Sequence, residues 1–227
     1  MIFPRSSWSD TIRQVSRFSG LCLIIDQDLL RIRPELAMAQ ALSAGVECFQ
    51  YRNKHGSRKV IYETSMQLAG IARKANAVFL VNDHADIAVA VDADGVHLGQ
   101  DDLPIEYAQR ILPKGKIIGI STQTAAHALT AESAGADYIG FGPIFETASK
   151  DDAGAGLGIE NLMTIRKMVS IPIMAIGGIN HKNVEDVIRA GADGVAVISA
   201  VLSADDIRQS AEDMLRIIQG QKRRARR

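Results

Sequence analysis

Gln50, Arg52 and Lys54 alternate at the end of an apolar run. In a strand, alternate residues share one face, and Phe49 and Tyr51 take the other, under covering helices. Cations directed inward from a strand end require an anionic partner. Asn82-Asp83 closes a second apolar run and Asp101-Asp102 follows a third. Carboxylates from two such runs offer the hard oxygen donors that Mg²⁺ takes, with phosphate and water oxygens completing the shell. Ser121-Thr122 adds hydroxyls at another run's end. Gly177-Gly178 and Ile198-Ser199 close two more; glycine there lets an oxyanion approach backbone amides, and a following helix N-terminus adds partial positive charge. Thr147, Ser149 and Lys150 lie in a polar loop, 144–158, with Gly154, Gly156 and Gly158, a composition that suits a lid closing over substrate. Together these groups suit a phosphorylated substrate and a divalent metal.

Two residues carry a second reading. Asp83 is also a good helix N-cap, and His97, inside a strand, fits a hydrogen-bonded core histidine as well as a substrate contact.

The elements that must bring these residues together are short apolar runs at 21–26, 46–52, 78–82, 95–98, 116–121, 137–142, 171–176 and 194–199. Their continuous apolar character is that of strands covered on both faces. Amphipathic stretches separate them, and a last helix is expected at 203–219. Ala-Gly-Ala-Asp occurs twice, at 134–137 and 190–193, with the glycine as a helix stop. Eight strand–helix units with right-handed crossovers predict a single-domain (β/α)8 TIM barrel, whose strand C-termini collect at one mouth. The expected domains are an N-terminal extension, 1–20, a barrel catalytic domain, 21–220, and a solvated basic tail, 221–227.

Composition narrows the class. The 227 residues fit one such barrel, and 47% are hydrophobic. Zero net charge gives no global field toward nucleic acid or membrane. The basic C-terminal run has no interleaved aromatic residues to stack bases. Cys22 and Cys48 lie within apolar strands and read as reduced, buried thiols. No segment reads as a signal peptide or a membrane span, so the cytoplasm is the expected location.

In order and spacing, six motifs resemble the thiamine phosphate synthase family over residues 21–200. They are Gln50-Tyr51-Arg52-Asn53-Lys54, Val81-Asn82-Asp83-His84-Ala85-Asp86, Gly95-Val96-His97-Leu98-Gly99-Gln100-Asp101-Asp102, Gly142-Pro143-Ile144-Phe145, Ala175-Ile176-Gly177-Gly178-Ile179 and Val197-Ile198-Ser199-Ala200. The resemblance implies a Mg²⁺-dependent transferase that joins a hydroxymethylpyrimidine diphosphate to a hydroxyethylthiazole phosphate by a dissociative route. It implies that Gln50, Tyr51 and Asn53 bind the pyrimidine diphosphate, with Gln50 holding the pyrimidine. Arg52, Lys54, Asn82, Ser121 and Lys150 hold the diphosphate, and of these Arg52, Lys54, Ser121 and Lys150 are catalytic. Asp83 and Asp102 ligate Mg²⁺, while Thr147, Ala148, Ser149, Gly178, Ile198 and Ser199 bind the thiazole phosphate. Partners are small phosphorylated molecules, with neither nucleic acid nor membrane, and a homo-oligomer is compatible.

The chain departs from the family at Glu146, often Pro, at Ser149, often Thr, at Gln123, often His, and at Ile25, where Thr is usual. The alternatives are a thiazole tautomerase of the same superfamily, whose members tend to lose the metal carboxylates and use a histidine at the Gln123 position, and a non-catalytic phosphate-binding barrel.

Overall fold

The apolar runs are β1 (Leu21–Asp26), β2 (Cys48–Arg52), β3 (Val78–Asn82), β4 (Gly95–Leu98), β5 (Ile117–Thr122), β6 (Tyr138–Phe141), β7 (Ile173–Ile176) and β8 (Gly194–Val197). They close in chain order into a barrel, every strand parallel to both neighbours. The computed structural model describes residues 20–147 and 156–225; the expected N-terminal extension lies almost entirely outside them. Helices α1 (Pro34–Ser43), α2 (Arg58–Ala75), α3 (Ala85–Ala90), α4 (Ile105–Ile111), α5 (Ala125–Ser133), α6 (Ile159–Met168) and α7 (Val184–Arg189) follow the first seven strands. A four-residue α8 (Ser199–Leu202) and a long α9 (Ile207–Ala225) follow β8. This is the (β/α)8 barrel that the alternation predicts. Strands such as β1 and β2 are buried at every position because side chains fill the interior and helices cover the outside.

Helix α2 shows how the local code works. Ser57 Oγ accepts the Val60 amide at 3.3 Å, and Asn76 ends the helix in a left-handed conformation at φ 55°. Ile61, Leu68, Ala69 and Ala72 form the stripe that faces the sheet.

The repeated Ala-Gly-Ala-Asp has a fuller explanation than a helix stop. Gly135 and Gly191 take φ of 87° and 105° and turn the chain back toward the barrel. Asp137 then donates its amide to Ile118 O at 2.9 Å and accepts the Ile118 amide through Oδ2 at 2.8 Å. Asp193 makes the same two bonds with Ile173, and Asp94 with Phe79. Each Asp therefore clamps the start of its own strand to the start of the preceding one, at the end of the barrel remote from the mouth.

Several boundaries move inward. Val46 donates its amide to Ala41 O at the end of α1, so β2 starts at Cys48. Pro172 has no N–H for the ladder, and β7 starts at Ile173. Residue Ser199 already belongs to α8, so β8 ends at Val197.

The expected basic tail is helical through residue 225, with Arg223 and Arg224 exposed. Helix α9 runs through Lys222, Arg223 and Arg224, which form its last turn. Lys222 Nζ donates to Asp193 O at 2.5 Å, and Arg224 Nη1 lies 3.0 Å from Glu185 Oε1. Cations at a helix C-terminus are favoured by the dipole, a context that a count of charges does not reveal.

Cys22 and Cys48 are register partners on β1 and β2, both free and buried. The hydrogen bond with Cys22, and then burial, push the Cys48 thiol well above its usual range. Among the described residues no helix is long and apolar enough to cross a membrane.

Candidate functional site

Strand register places Asp26 beside Arg52 at the mouth. Arg52 Nη1 contacts Asp26 Oδ2 at 2.5 Å, and Asp26 Oδ1 accepts the Asp28 amide at 3.1 Å. Asp26 is 1% exposed and Arg52 9%. Arg52 Nε is buried and has no hydrogen-bond partner among the described residues. A charged donor left unpaired in that setting is costly, so the guanidinium holds a donor ready for an anion.

Lys54 lies beyond the strand end, with Nζ 2.6 Å from Asp83 Oδ2. Asp83 takes φ 66°, a left-handed conformation that Asp tolerates better than most residues. It is not the cap of α3; His84 holds that position, and no side chain caps it. Asp102 Oδ2 accepts the Gly99 amide at 2.6 Å. Burial first, and then a hydrogen bond with Asp83, raise the Asp102 carboxyl above its ordinary range, while the Gly99 amide and the Lys54 ammonium act the other way. Two carboxyl groups on one cavity wall, with the Lys54 ammonium on Asp83, form a donor set that fits a hard cation. No group of three or more His, Cys, Asp or Glu side chains suited to a metal occurs among the described residues. The chain would thus supply two carboxylates, with substrate and water oxygens as the remaining ligands.

Ser121, near the end of β5, holds its Oγ 2.9 Å from His97 Nε2. Gln100 Nε2 donates to Ser121 O. On the far side of the mouth, Gly177 and Gly178 take φ of 95° and 64°. Ile144 and Phe145 donate their amides to Ile176 O and Gly177 O, which seats the chain after β6 on this turn. Asn183 Nδ2 donates to Gly178 O at 3.0 Å and braces it from behind.

The mouth encloses a cavity of about 790 Å³. Of the residues expected from the sequence, Arg52, Lys54, Asn82, Asp83, Asp102, Ser121, Thr147, Gly178, Ile198 and Ser199 are on its wall. Gln50 is one layer deeper, beside a small void that it shares with His97 and Tyr138. Tyr51 and Asn53 are not on the wall: the Tyr51 hydroxyl donates to Gln27 Oε1 at 3.0 Å and accepts from Asn53 Nδ2 at 3.2 Å. Asn53 Oδ1 also accepts the Gly56 amide at 2.7 Å, so this pair braces the loop after β2. Ala148, Ser149 and Lys150, with the rest of 148–155 in the expected lid, lie outside the described residues. His97 is 9% exposed and bonded on both ring nitrogens, to Tyr138 and Ser121, beneath the cavity. Glu146 and Gln123 both reach the wall.

Sequence reasoning missed Asp26 and Tyr138. Asp26 had a signal, a lone carboxylate closing an apolar run. Tyr138 had none, since its position in an apolar run reads as core.

The glycine at 178 answers to packing. A Cβ there would meet Glu146 O at 2.6 Å and Phe145 Cβ at 2.7 Å, rather than open space over the amides. Gly178→Ala is expected to cost about 1–3 kcal/mol from the left-handed φ and the clash together. At about 2–4 °C per kcal/mol for a chain of this size, the melting temperature should fall by several degrees. An unchanged melting temperature would refute this account of the glycine.

A family model described as thiamine monophosphate synthase matches residues 21–201. The chain is 46% identical over 199 residues to a thiamine-phosphate synthase of Chloroflexus aurantiacus, covering 87% of this chain and 92% of that one. It is also 46% identical over 200 residues to a thiamine-phosphate synthase of Methanocella arvoryzae, covering 87% and 94%. Among solved structures it is similar to a thiamine phosphate pyrophosphorylase from Pyrococcus furiosus, with TM-score 0.84 and 40% identity, covering 91% of this chain and 98% of that one.

Proposed function

The chain belongs to the thiamine monophosphate synthase family, and we propose that it joins 4-amino-2-methyl-5-(diphosphooxymethyl)pyrimidine to 4-methyl-5-(2-phosphooxyethyl)thiazole. The products are thiamine phosphate and pyrophosphate. The observation that carries this reading is the buried Arg52, with Nε unpaired, on the same cavity wall as two carboxylates, Asp83 and Asp102. A site of that kind fits a diphosphate delivered with a divalent cation.

In the proposed reaction the bond from the pyrimidine methylene carbon to the diphosphate oxygen breaks first, and pyrophosphate leaves with the electron pair. The electron-rich aminopyrimidine spreads the positive charge left behind. The thiazole ring nitrogen then donates its lone pair and forms the new carbon–nitrogen bond. No protein nucleophile is required. Arg52 and Lys54 hold the departing oxygens, where charge develops, and Asn82 and Ser121 add neutral donors from β3 and β5. Asp83 and Asp102 would hold Mg²⁺, which supplies charge neutralisation on the leaving group. Gly178, Ile198, Ser199 and Thr147, across the cavity, are assigned to the thiazole phosphate, in the position after strands seven and eight that commonly binds phosphate in this fold.

The test is pyrophosphate release by the purified protein. It should require both substrates, stop on chelation of Mg²⁺ and resume when Mg²⁺ is restored. Release that survives full chelation would remove the metal from the reaction, and no release under any of these conditions would remove the reaction itself.

A further inference from the structure

A polar file crosses the barrel interior below the cavity. Tyr138, on β6, is 2% exposed, with its hydroxyl 2.8 Å from His97 Nδ1. His97 Nε2 lies 2.9 Å from Ser121 Oγ, which faces the cavity. Gln50 lines the same small void as Tyr138 and His97, and burial raises the phenol well above its usual range, so it stays protonated. Glycines make the room. A Cβ on Gly119 would lie 2.1 Å from the Tyr138 ring, and one on Gly140 would lie 2.9 Å from His97 Cε1.

The file has a direction. A phenol donates one proton, and a neutral imidazole donates from one nitrogen and accepts at the other. In one direction the phenol proton goes to His97 Nδ1. His97 Nε2–H then donates to Ser121 Oγ, which leaves the serine proton for the cavity. The opposite direction would aim serine lone pairs at the anion that Arg52 and Lys54 attract.

We propose that Tyr138 is a positioning residue: it fixes His97 as the Nε2–H tautomer, so that Ser121 presents its hydroxyl proton to the leaving diphosphate. This rests on the assignment of Ser121 to the diphosphate made above.

The experiment compares Tyr138→Phe in the wild-type and Ser121→Ala backgrounds, with the nitrogen-15 spectrum of His97 alongside. The phenylalanine ring keeps the packing over Gly119 and removes only the hydroxyl. Turnover should fall roughly 10- to 100-fold in the wild-type background, as it does when outer partners of functional imidazoles are removed. It should change less than about 2-fold in the Ser121→Ala background, because the effect passes through that hydroxyl. The spectrum should change from one Nε2–H tautomer to a mixture. Equal losses in both backgrounds overturn the proposal, as does an unchanged tautomer in Tyr138→Phe. Full turnover in Ser121→Ala, with Mg²⁺-dependent pyrophosphate release intact, also overturns it while leaving the reaction assigned above in place.

Discussion

Replacing Arg52 by methionine is expected to cost stability and turnover together. Replacing Asp26 by asparagine as well should restore the stability and not the turnover. Asp26 is 1% exposed and bonded to the Arg52 guanidinium. Removing one partner of a buried pair leaves an uncompensated charge, at about 3–5 kcal/mol. Methionine keeps the volume of the arginine stem, so cavity formation adds little. With asparagine at 26 no buried charge remains, and the amide oxygen can still accept from the Asp28 amide. Turnover should stay down by about 10²–10³ in both variants, because the donor for the departing pyrophosphate is gone from both. Melting curves and single-turnover rates separate the two effects. A double variant that regains turnover would make Arg52 a structural partner of Asp26 and nothing more.

Asp83→Asn should weaken the Mg²⁺ response strongly with little loss of fold. The residue sits at φ 66°, where asparagine is among the few well-tolerated side chains. The ion pair it gives up is with Lys54, whose side chain is 44% exposed. Pairs of that kind contribute about 0–1 kcal/mol, so melting should scarcely change. Turnover at saturating substrates should drop by about 10²–10³, and the Mg²⁺ concentration for half activity should rise at least about 10-fold. Asp83→Ala serves as the contrast. It removes the same carboxylate but puts alanine in a left-handed conformation, at about 1–2 kcal/mol. An Asp83→Asn protein with an unaltered Mg²⁺ titration would show that the metal, if used, is held elsewhere.

Patterns local to the chain carry most of the fold. Eight apolar runs of strand length, each followed by a helical period, leave a closed parallel barrel as the economical solution, because each strand needs cover on both faces. The same logic collected Arg52, Lys54, Asp83, Asp102 and Ser121 at one mouth, since each closes or follows a run in the same direction. Alternation along β2 likewise separated Gln50 and Arg52 from Phe49 and Tyr51. These readings depend only on residue type and spacing within one strand.

Features that depend on distant partners were out of reach. Whether Asp26 meets Arg52 depends on the register between β1 and β2, which neither strand encodes alone. That His97 rests between Tyr138 and Ser121 follows from three strands meeting inside a closed barrel, in space left by Gly119 and Gly140. Why residue 178 must be glycine depends on the segment after β6, which occupies the space that a Cβ would take. That residues 221–225 continue α9, with Lys222 reaching the carbonyl of Asp193, depends on packing against the barrel that a list of charges omits. A sequence specifies which side chains share a strand face, whereas the closure of the barrel alone sets which faces meet, and the pairing of buried charges and hydroxyls is settled there.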